Sequence, residues 1–157
     1  MRVRHLLQSR RAAWLGVAAC VAVIWTLSGD DFSSQTTGSL LLPLLHWLFP
    51  ELSGQALLRL HLFVRKSAHF GEYALLGLLA FRALWLTLES TAQRVGALAL
   101  LLVLAVAGAD ETRQSLSQAR TGSLWDVALD LCGAAAALLL LLLLRRAWGS
   151  AAEAESA

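Results

Sequence analysis

Ten polar side chains lie where the long apolar runs of this chain begin and end. They form two groups, one at the start of the second apolar run and one between and within the next two: Lys66, His69, Glu72, Tyr73, Asp110, Glu111, Gln114, Arg120, Asp126 and Asp130. An ionised side chain in a membrane span costs roughly 2.5–3.5 kcal/mol on insertion scales, so such residues usually face the bundle interior. These ten residues are therefore the candidate functional cluster of the chain.

Two kinds of chemistry are open to this set of side chains. His69 and Glu72 lie three residues apart and, with an aspartate of the second group, would serve as general acid and base or hold a divalent cation. Five cations would instead bind a phosphate or carboxylate group of a ligand: Arg59, Arg65, Lys66, Arg113 and Arg120. Because no H-E-x-x-H, G-x-S-x-G or glycine-rich phosphate loop occurs, the sequence leaves catalysis, metal dependence and any cofactor open.

The elements that must position the cluster are membrane-spanning helices. Hydrophobic residues make up 57% of the 157 residues, against about 45–50% in soluble domains. They are concentrated in runs at 12–27, 67–88, 95–109 and 124–144, and a span needs about 20 residues. The sequence therefore predicts an all-α integral membrane four-helix bundle over residues 12–144, with spans at about 12–29, 67–88, 94–111 and 124–144. The first run is expected to remain as a helix, because it lacks a good signal-peptide cleavage site.

Two shorter apolar stretches, 39–49 and 53–64, follow a turn-rich loop at 30–38. Both are too short to span, so they are predicted to be short interfacial helices in the first outer loop, the second capped by Ser53. Three ring-bearing side chains of these stretches are interpreted as interfacial rather than as ligands: His46, Trp47 and His61. Cys20 and Cys132 are interpreted as apolar filler, because their spacing fits neither a disulfide framework nor a metal site.

Polar and small side chains form stripes on two of the predicted spans. At 100° per residue, the first stripe lies within about 120° of the helix circumference: Lys66, His69, Glu72 and Tyr73, continued by Gly77 and Ala80. The second stripe lies within about 60°: Asp126, Asp130, Gly133 and Ala137. Small residues let helices approach closely in lipid, so we expect both stripes to face the bundle interior and one another. Ser123 and Asp126 predict a capping box that starts the last helix at Leu124.

The distribution of basic residues predicts the orientation in the membrane. With the N-terminus inside, seven basic residues fall on the inner side: Arg2, Arg4, Arg10, Arg11, Arg94, Arg145 and Arg146. Arg82, near the inner end of its span, raises the inner count to eight. Five basic residues fall on the outer side: Arg59, Arg65, Lys66, Arg113 and Arg120. The positive-inside rule thus predicts a multi-pass protein of the cell membrane with residues 1–11 and 145–157 in the cytoplasm. The polar cluster then faces outward, and the net charge of +2 follows from topology and indicates no nucleic-acid partner.

The order of the polar residues resembles that of one known family. Lys66-Ser-Ala-His-Phe-Gly-Glu-Tyr-Ala-Leu-Leu-Gly is followed by Asp110-Glu111-x-x-Gln114, and then by Arg120 and Asp126. This pattern, from about Ser28 to about Leu140, is similar to the VanZ-like family of small membrane proteins, named for a teicoplanin-resistance protein. The resemblance implies that nine of the ten cluster residues are the family's polar positions. The tenth, Asp130, stands where the family often has Asn.

Three hypotheses for the cluster follow. The first, favoured by the resemblance, is a non-enzymatic protein that binds or shields an envelope lipid-linked or glycopeptide ligand at the outer membrane face. The second is an intramembrane hydrolase or transferase acting on a lipid head group. The third is a structural ion network that closes the outer end of the bundle. A transporter is disfavoured, because four helices without an internal repeat lack the paired halves of such proteins. Membrane lipid is an expected partner, and the oligomeric state stays open.

The predicted topology can be tested by cysteine labelling. Cysteine introduced at Ser34 or Ser117 should react with a membrane-impermeant thiol reagent in intact cells, because both positions lie in predicted outer segments. Cysteine at Ser90, in the predicted cytoplasmic turn, should react only after lysis. Labelling of intact cells at Ser90 alone would reverse the orientation.

Overall fold

The side chains of serine and threonine residues set where the helices begin. The computed structural model describes residues 9–117 and 122–155, with side chains as far as Trp148. Five α-helices occupy this part of the chain: α1 (Arg10–Leu27), α2 (Ser34–Leu48), α3 (Gly54–Thr87), α4 (Ala92–Ser115) and α5 (Leu124–Glu155). Directly before each helix, a hydroxyl oxygen accepts a hydrogen bond from an N–H of the first turn: Ser9, Ser33, Ser53, Thr91 and Ser123.

Four of these helices, α1, α3, α4 and α5, are long and apolar enough to cross a membrane. This confirms the predicted all-α architecture of four spanning helices, with α2 as a short helix between the first two spans. Consecutive spans run in opposite directions, as Trp14 at the start of α1 meets Thr87 at the end of α3. We call the end of the bundle that holds Lys66, Asp110 and Asp126 the polar end, and the end that holds Trp14 and Thr87 the opposite end.

The helix α3 is one continuous element of 34 residues. The predicted break between a short helix ending at Val64 and a span beginning at Ser67 is therefore wrong, although Ser53 caps the element as predicted. Neither glycine nor proline occurs between Gly54 and Gly71 to stop the helix. At 1.5 Å per residue α3 is about 51 Å long, well beyond the roughly 30 Å of a hydrocarbon core, so its first turns extend past one span.

The helix α2 packs against these first turns of α3. It was predicted to begin near residue 39, yet it begins at Ser34, because Ser33 accepts a hydrogen bond from the Thr36 amide and satisfies the first turn. A short 3-10 turn, Asp30–Phe32, connects α1 to it. Residues 34–38 of the predicted loop at 30–38 are therefore α-helical.

Small side chains bring the spanning helices close together. Six alanines are completely buried at the contacts between helices: Ala13, Ala80, Ala83, Ala99, Ala107 and Ala134. The closest crossing joins α3 and α5, where a Cβ added to Gly77 would lie 2.9 Å from the Ala134 Cβ and one added to Gly133 would overlap the Phe70 carbonyl oxygen. This crossing lies directly below the polar residues of both helices and fixes their separation.

We therefore expect Gly133→Ala to lower the free energy of unfolding by about 1–3 kcal/mol, the usual cost of overpacking. The new methyl group meets backbone of α3, which cannot rotate away as a side chain would. Gly71→Ala is the matched control, since a Cβ at that position has open space and alanine favours a helix over glycine. Unfolding of both variants in mixed detergent measures the difference, and equal stability would contradict the close crossing.

Candidate functional site

Two ion pairs join α3 to α5 at the polar end. The Lys66 ammonium donates to Asp126 Oδ1, and one turn further along both helices His69 Nδ1 lies 3.9 Å from Asp130 Oδ1. The side chains of the first pair are 57% and 36% exposed, whereas those of the second are 24% and 3% exposed. The two predicted stripes thus face one another, and the pairs run from the bundle surface into its interior.

Asp130 and Tyr73 occupy the inner limit of this cluster. Asp130 is 2% exposed and Tyr73 is fully buried. In the part of the chain that the structure describes, Asp130 Oδ1 and the Tyr73 hydroxyl have no hydrogen-bond partner. A buried polar atom without a partner costs about 1–3 kcal/mol. The site therefore keeps an acceptor and a hydroxyl that a further group can satisfy.

Further carboxylates surround these two residues. Glu111, Asp126, Asp110 and Glu72 all lie within electrostatic range of Asp130. Glu72 itself is half-buried on α3, and Asp110 and Arg65 act on its carboxyl group. The interior of the cluster is therefore rich in hydrogen-bond acceptors.

The end of α4 contributes a second group of interactions, centred on Asp110. This carboxylate is 1% exposed and accepts from Arg113 Nη2 at 3.1 Å and from Gln114 Nε2 at 2.8 Å. Arg113 also donates to the Trp25 carbonyl at 2.8 Å and lies 4.4 Å above the Trp25 ring, which joins α4 to α1. The third span was predicted to end at about residue 111, with an outer segment over 110–123, but these bonds between neighbouring turns continue the helix to Ser115.

Glu111 connects α4 to the start of α5. Its Oε2 accepts from the Ser123 backbone N–H at 2.6 Å, while the Ser123 hydroxyl accepts from the Trp125 N–H at 3.2 Å. The last helix begins at Leu124 as predicted. The predicted capping box is wrong in one of its two hydrogen bonds. The Asp126 carboxylate binds Lys66 and does not accept from the Ser123 backbone N–H, and Glu111 accepts from that N–H instead.

A third group ties α2 to α3 beside the cluster. Arg65 Nη1 donates to Thr37 Oγ1 at 2.7 Å and to the Phe32 carbonyl at 3.0 Å, and His61 Nε2 lies 3.4 Å from the same threonine oxygen. His61 is 1% exposed, so its interpretation as an interfacial ring is wrong, whereas His46 and Trp47 are exposed. The spacing of His61 and Arg65, four residues apart on one helical face, was the available signal for this contact.

The predicted phosphate-binding cations mostly have partners within the protein. Arg65, Lys66 and Arg113 contact Thr37, Asp126 and Asp110 as described above, and Arg59 is exposed on the first turns of α3. Arg120 lies outside the described residues. Among residues 9–117 and 122–148, no three His, Cys, Asp or Glu side chains converge to hold a metal ion.

The sequence also matches a known protein family. The model of the VanZ/LLP1 family matches residues 13–145, most of the chain. This protein belongs to the VanZ/LLP1 family. No curated protein and no solved structure gives a significant match. The matched range contains all ten residues of the candidate cluster, and this VanZ/LLP1 chain is a membrane protein by family and by its four spanning helices.

This VanZ/LLP1 chain also has an apolar cavity next to the cluster. It lies between α2 and α3 and has a volume of about 560 Å³. Apolar side chains form much of its wall, with a few hydroxyl, amide and imidazole groups: Ser34, Gln35, Gly38, Ser39, Leu42, Pro43, Leu58, His61 and Leu62. His61 belongs to the cavity wall and also contacts Thr37, which binds Arg65. The cavity and the polar cluster are therefore adjacent along α3.

The two kinds of ion pair should respond differently to loss of the cation. Arg113→Met leaves the buried Asp110 carboxylate without its charged partner, which should cost about 3–5 kcal/mol and deplete the folded protein. Lys66→Met removes a half-exposed pair and should cost about 1 kcal/mol or less. The amount of folded protein in membrane extracts measures both, and equal losses would contradict this division between a structural and an accessible pair.

Proposed function

We propose that this VanZ/LLP1 membrane protein binds, and thereby shields, an envelope molecule that has an apolar chain and a head group with amine or hydroxyl donors. A glycopeptide and a lipid-linked saccharide both fit this description. The observation that carries the proposal is Asp130, a carboxylate enclosed between α3 and α5 whose Oδ1 has no hydrogen-bond partner in the described part of the chain.

The head group is proposed to enter between α3 and α5 at the polar end. A hydroxyl or ammonium group there would donate to Asp130, and the carboxylate of Glu72 would provide a second acceptor on the same side. The excess of carboxylates favours a donor over a phosphate, because the nearby cations Lys66 and Arg113 already neutralise Asp126 and Asp110. The half-exposed Lys66–Asp126 pair covers the entrance, and its exposure makes it the inexpensive one to separate.

The apolar chain is proposed to occupy the cavity between α2 and α3. Its volume of about 560 Å³ suits a hydrocarbon chain, and the apolar lining offers no charge that a chain would leave unpaired. His61 in the cavity wall and Lys66 at the entrance are five residues apart, about 7.5 Å along the helix axis. One ligand can therefore contact both places.

The cellular role proposed from this binding is tolerance to a glycopeptide such as teicoplanin. It rests on family membership and on the proposed outward orientation of the polar end in the cell membrane. A ligand held at the outer surface would be kept from the cell-wall precursors that lie in the same leaflet.

Glu72→Gln, Asp126→Asn, Asp130→Asn and Arg120→Ala test the binding role. We expect each to raise the Kd of the purified protein for teicoplanin at least tenfold, or about 1.4 kcal/mol. Glu72, Asp126 and Asp130 belong to the proposed site, and Arg120 is included because the sequence predicts it as a member of the cluster. In cells that express the variants, tolerance to teicoplanin should fall further than protein abundance does. Glu89→Gln, an exposed carboxylate outside the polar end, is the matched control and should change neither.

A structural network would give another pattern. If tolerance fell only in proportion to the amount of folded protein, and the Kd did not change, the cluster would be structural and the binding proposal wrong.

Gly38→Leu separates the two proposed ligands, because its side chain fills the cavity beside His61 while Gly38→Ala makes only ordinary contacts there. Weaker binding of a lipid-linked saccharide, with teicoplanin binding unchanged, would assign the cavity to the lipid-linked ligand.

The pair of His69 and Asp130 supports a second candidate, hydrolysis or group transfer on a lipid head group. A buried carboxylate lies 3.9 Å from a partly exposed imidazole, and a carboxylate that closed to hydrogen-bond distance would orient that ring as a general base requires. Incubation of the purified protein with a lipid-linked saccharide distinguishes the two functions. Release of a product that His69→Gln abolishes without loss of binding would favour the enzyme, and recovery of the intact ligand would favour the binder.

A further inference from the structure

A second cavity lies at the opposite end of the bundle, between the start of α1 and the end of α3. Its volume is about 530 Å³, and two guanidinium groups, an indole, an aliphatic chain and a hydroxyl line it: Arg10, Arg11, Trp14, Leu15 and Thr87. Trp14 Nε1 donates to Thr87 Oγ1 at 3.1 Å, which joins the two helices at the cavity and orients the ring. This cavity shares no residue with the polar cluster or with the cavity beside α2.

The charge at this end is almost entirely positive. Six arginines belong to it: Arg10, Arg11, Arg82, Arg94, Arg145 and Arg146. Among the side chains that the structure describes, Glu89 is the carboxylate at this end. Arg145 lies 5.2 Å from the centres of both the Phe81 and the Trp85 rings. Arg10 and Arg11 are exposed, and neither forms an ion pair with a described residue. The cavity therefore presents two cations to an anion from outside the chain.

The lining matches a phospholipid in both of its parts. Guanidinium groups bind phosphate oxygens through paired N–H donors, and an indole favours the layer between head groups and hydrocarbon. Leu15 is 69% exposed and continues the apolar face of α1 toward the membrane interior. The two cations attract a head group of net negative charge more strongly than a zwitterionic one, whose own ammonium group they repel. Basic recesses between spans bind anionic lipids.

We propose that this cavity is a binding site for the head group of an anionic phospholipid, with Arg10 and Arg11 on its phosphate and its acyl chains along Leu15. The lipid contacts α1 and α3 together and so stabilises their packing at this end. The site is independent of the ligand proposed for the polar end.

Native mass spectrometry of the full chain tests this site. Phosphatidylglycerol should bind at least tenfold more tightly than phosphatidylcholine of the same chain length, and Arg10→Gln with Arg11→Gln should remove that preference. Arg94→Gln with Arg146→Gln is the matched control, because both side chains are exposed and the pair removes the same charge at the same end without touching the cavity. This control should change the affinity less than threefold.

Several outcomes would overturn the assignment. Equal affinity for the two lipids, or an equal loss of affinity in the test and control pairs, would show that the basic end of the bundle attracts anions generally and that the cavity is not a specific site. Glycerol 3-phosphate that binds as tightly as phosphatidylglycerol would make it a site for soluble anions. The unfolding midpoint without lipid reports whether each variant folds. If the double variant does not fold, the single variant Arg11→Gln replaces it in the test.

Discussion

Asp110 and Asp130 are almost completely enclosed at the polar end, although removing an ionised carboxylate from water costs several kcal/mol unless a partner offsets it. In lipid the partner must come from the bundle itself. Asp110 draws Arg113 and Gln114 from its own helix, and Arg113 in turn reaches Trp25 on α1. Asp130 draws His69 across from α3. The contacts that neutralise these two carboxylates therefore join α4 to α1 and α3 to α5 at this end.

The two carboxylates are satisfied to different degrees, and the proposed function rests on this difference. Asp110 has charged and neutral donors at hydrogen-bond distance. Asp130 has an imidazole at 3.9 Å and an oxygen without a hydrogen bond from the described residues. A network built for stability alone tends to satisfy each buried group, so the incomplete shell of Asp130 is the feature that favours a ligand. The close approach of Gly133 to Phe70 sets the distance between α3 and α5 one turn from Asp130.

The two ends of the bundle differ in charge and in the kind of molecule that suits them. Carboxylates are concentrated at the polar end, with Asp126 and Asp130 on α5 and Asp110 and Glu111 on α4. Arginines are concentrated at the opposite end, where Arg10 and Arg11 face a cavity. An acceptor-rich site selects donors and a cationic cavity selects anions, which is why the proposals assign the two ends different ligands.

Apolar run length and helical spacing determined much of this protein from the sequence. Four spans, the start of α5 at Leu124 and the facing stripes of α3 and α5 all follow from local periodicity and capping residues. The continuity of α3 did not, because the charged pair of Arg65 and Lys66 was interpreted as the edge of a span. The structure shows Arg65 bound to Thr37 within an unbroken helix. The continuation of α4 from residue 111 to Ser115 was missed for a related reason, since the polar side chains of Arg113 and Gln114 bond to Asp110 within the helix.

Only the tertiary structure decided which polar groups meet. The sequence predicted Asp126 for the cap of α5, but Lys66 engages Asp126 from another helix and Glu111 of α4 accepts from the Ser123 N–H instead. It likewise could not show that Arg113 is committed to Trp25 and Asp110, or that Asp130 keeps an oxygen without a hydrogen bond. The physical reason is that spacing along one helix fixes the face on which a side chain lies. Its partner depends on the rotation and separation of the neighbouring helices, which the packing of small residues such as Gly77, Gly133 and Ala134 sets.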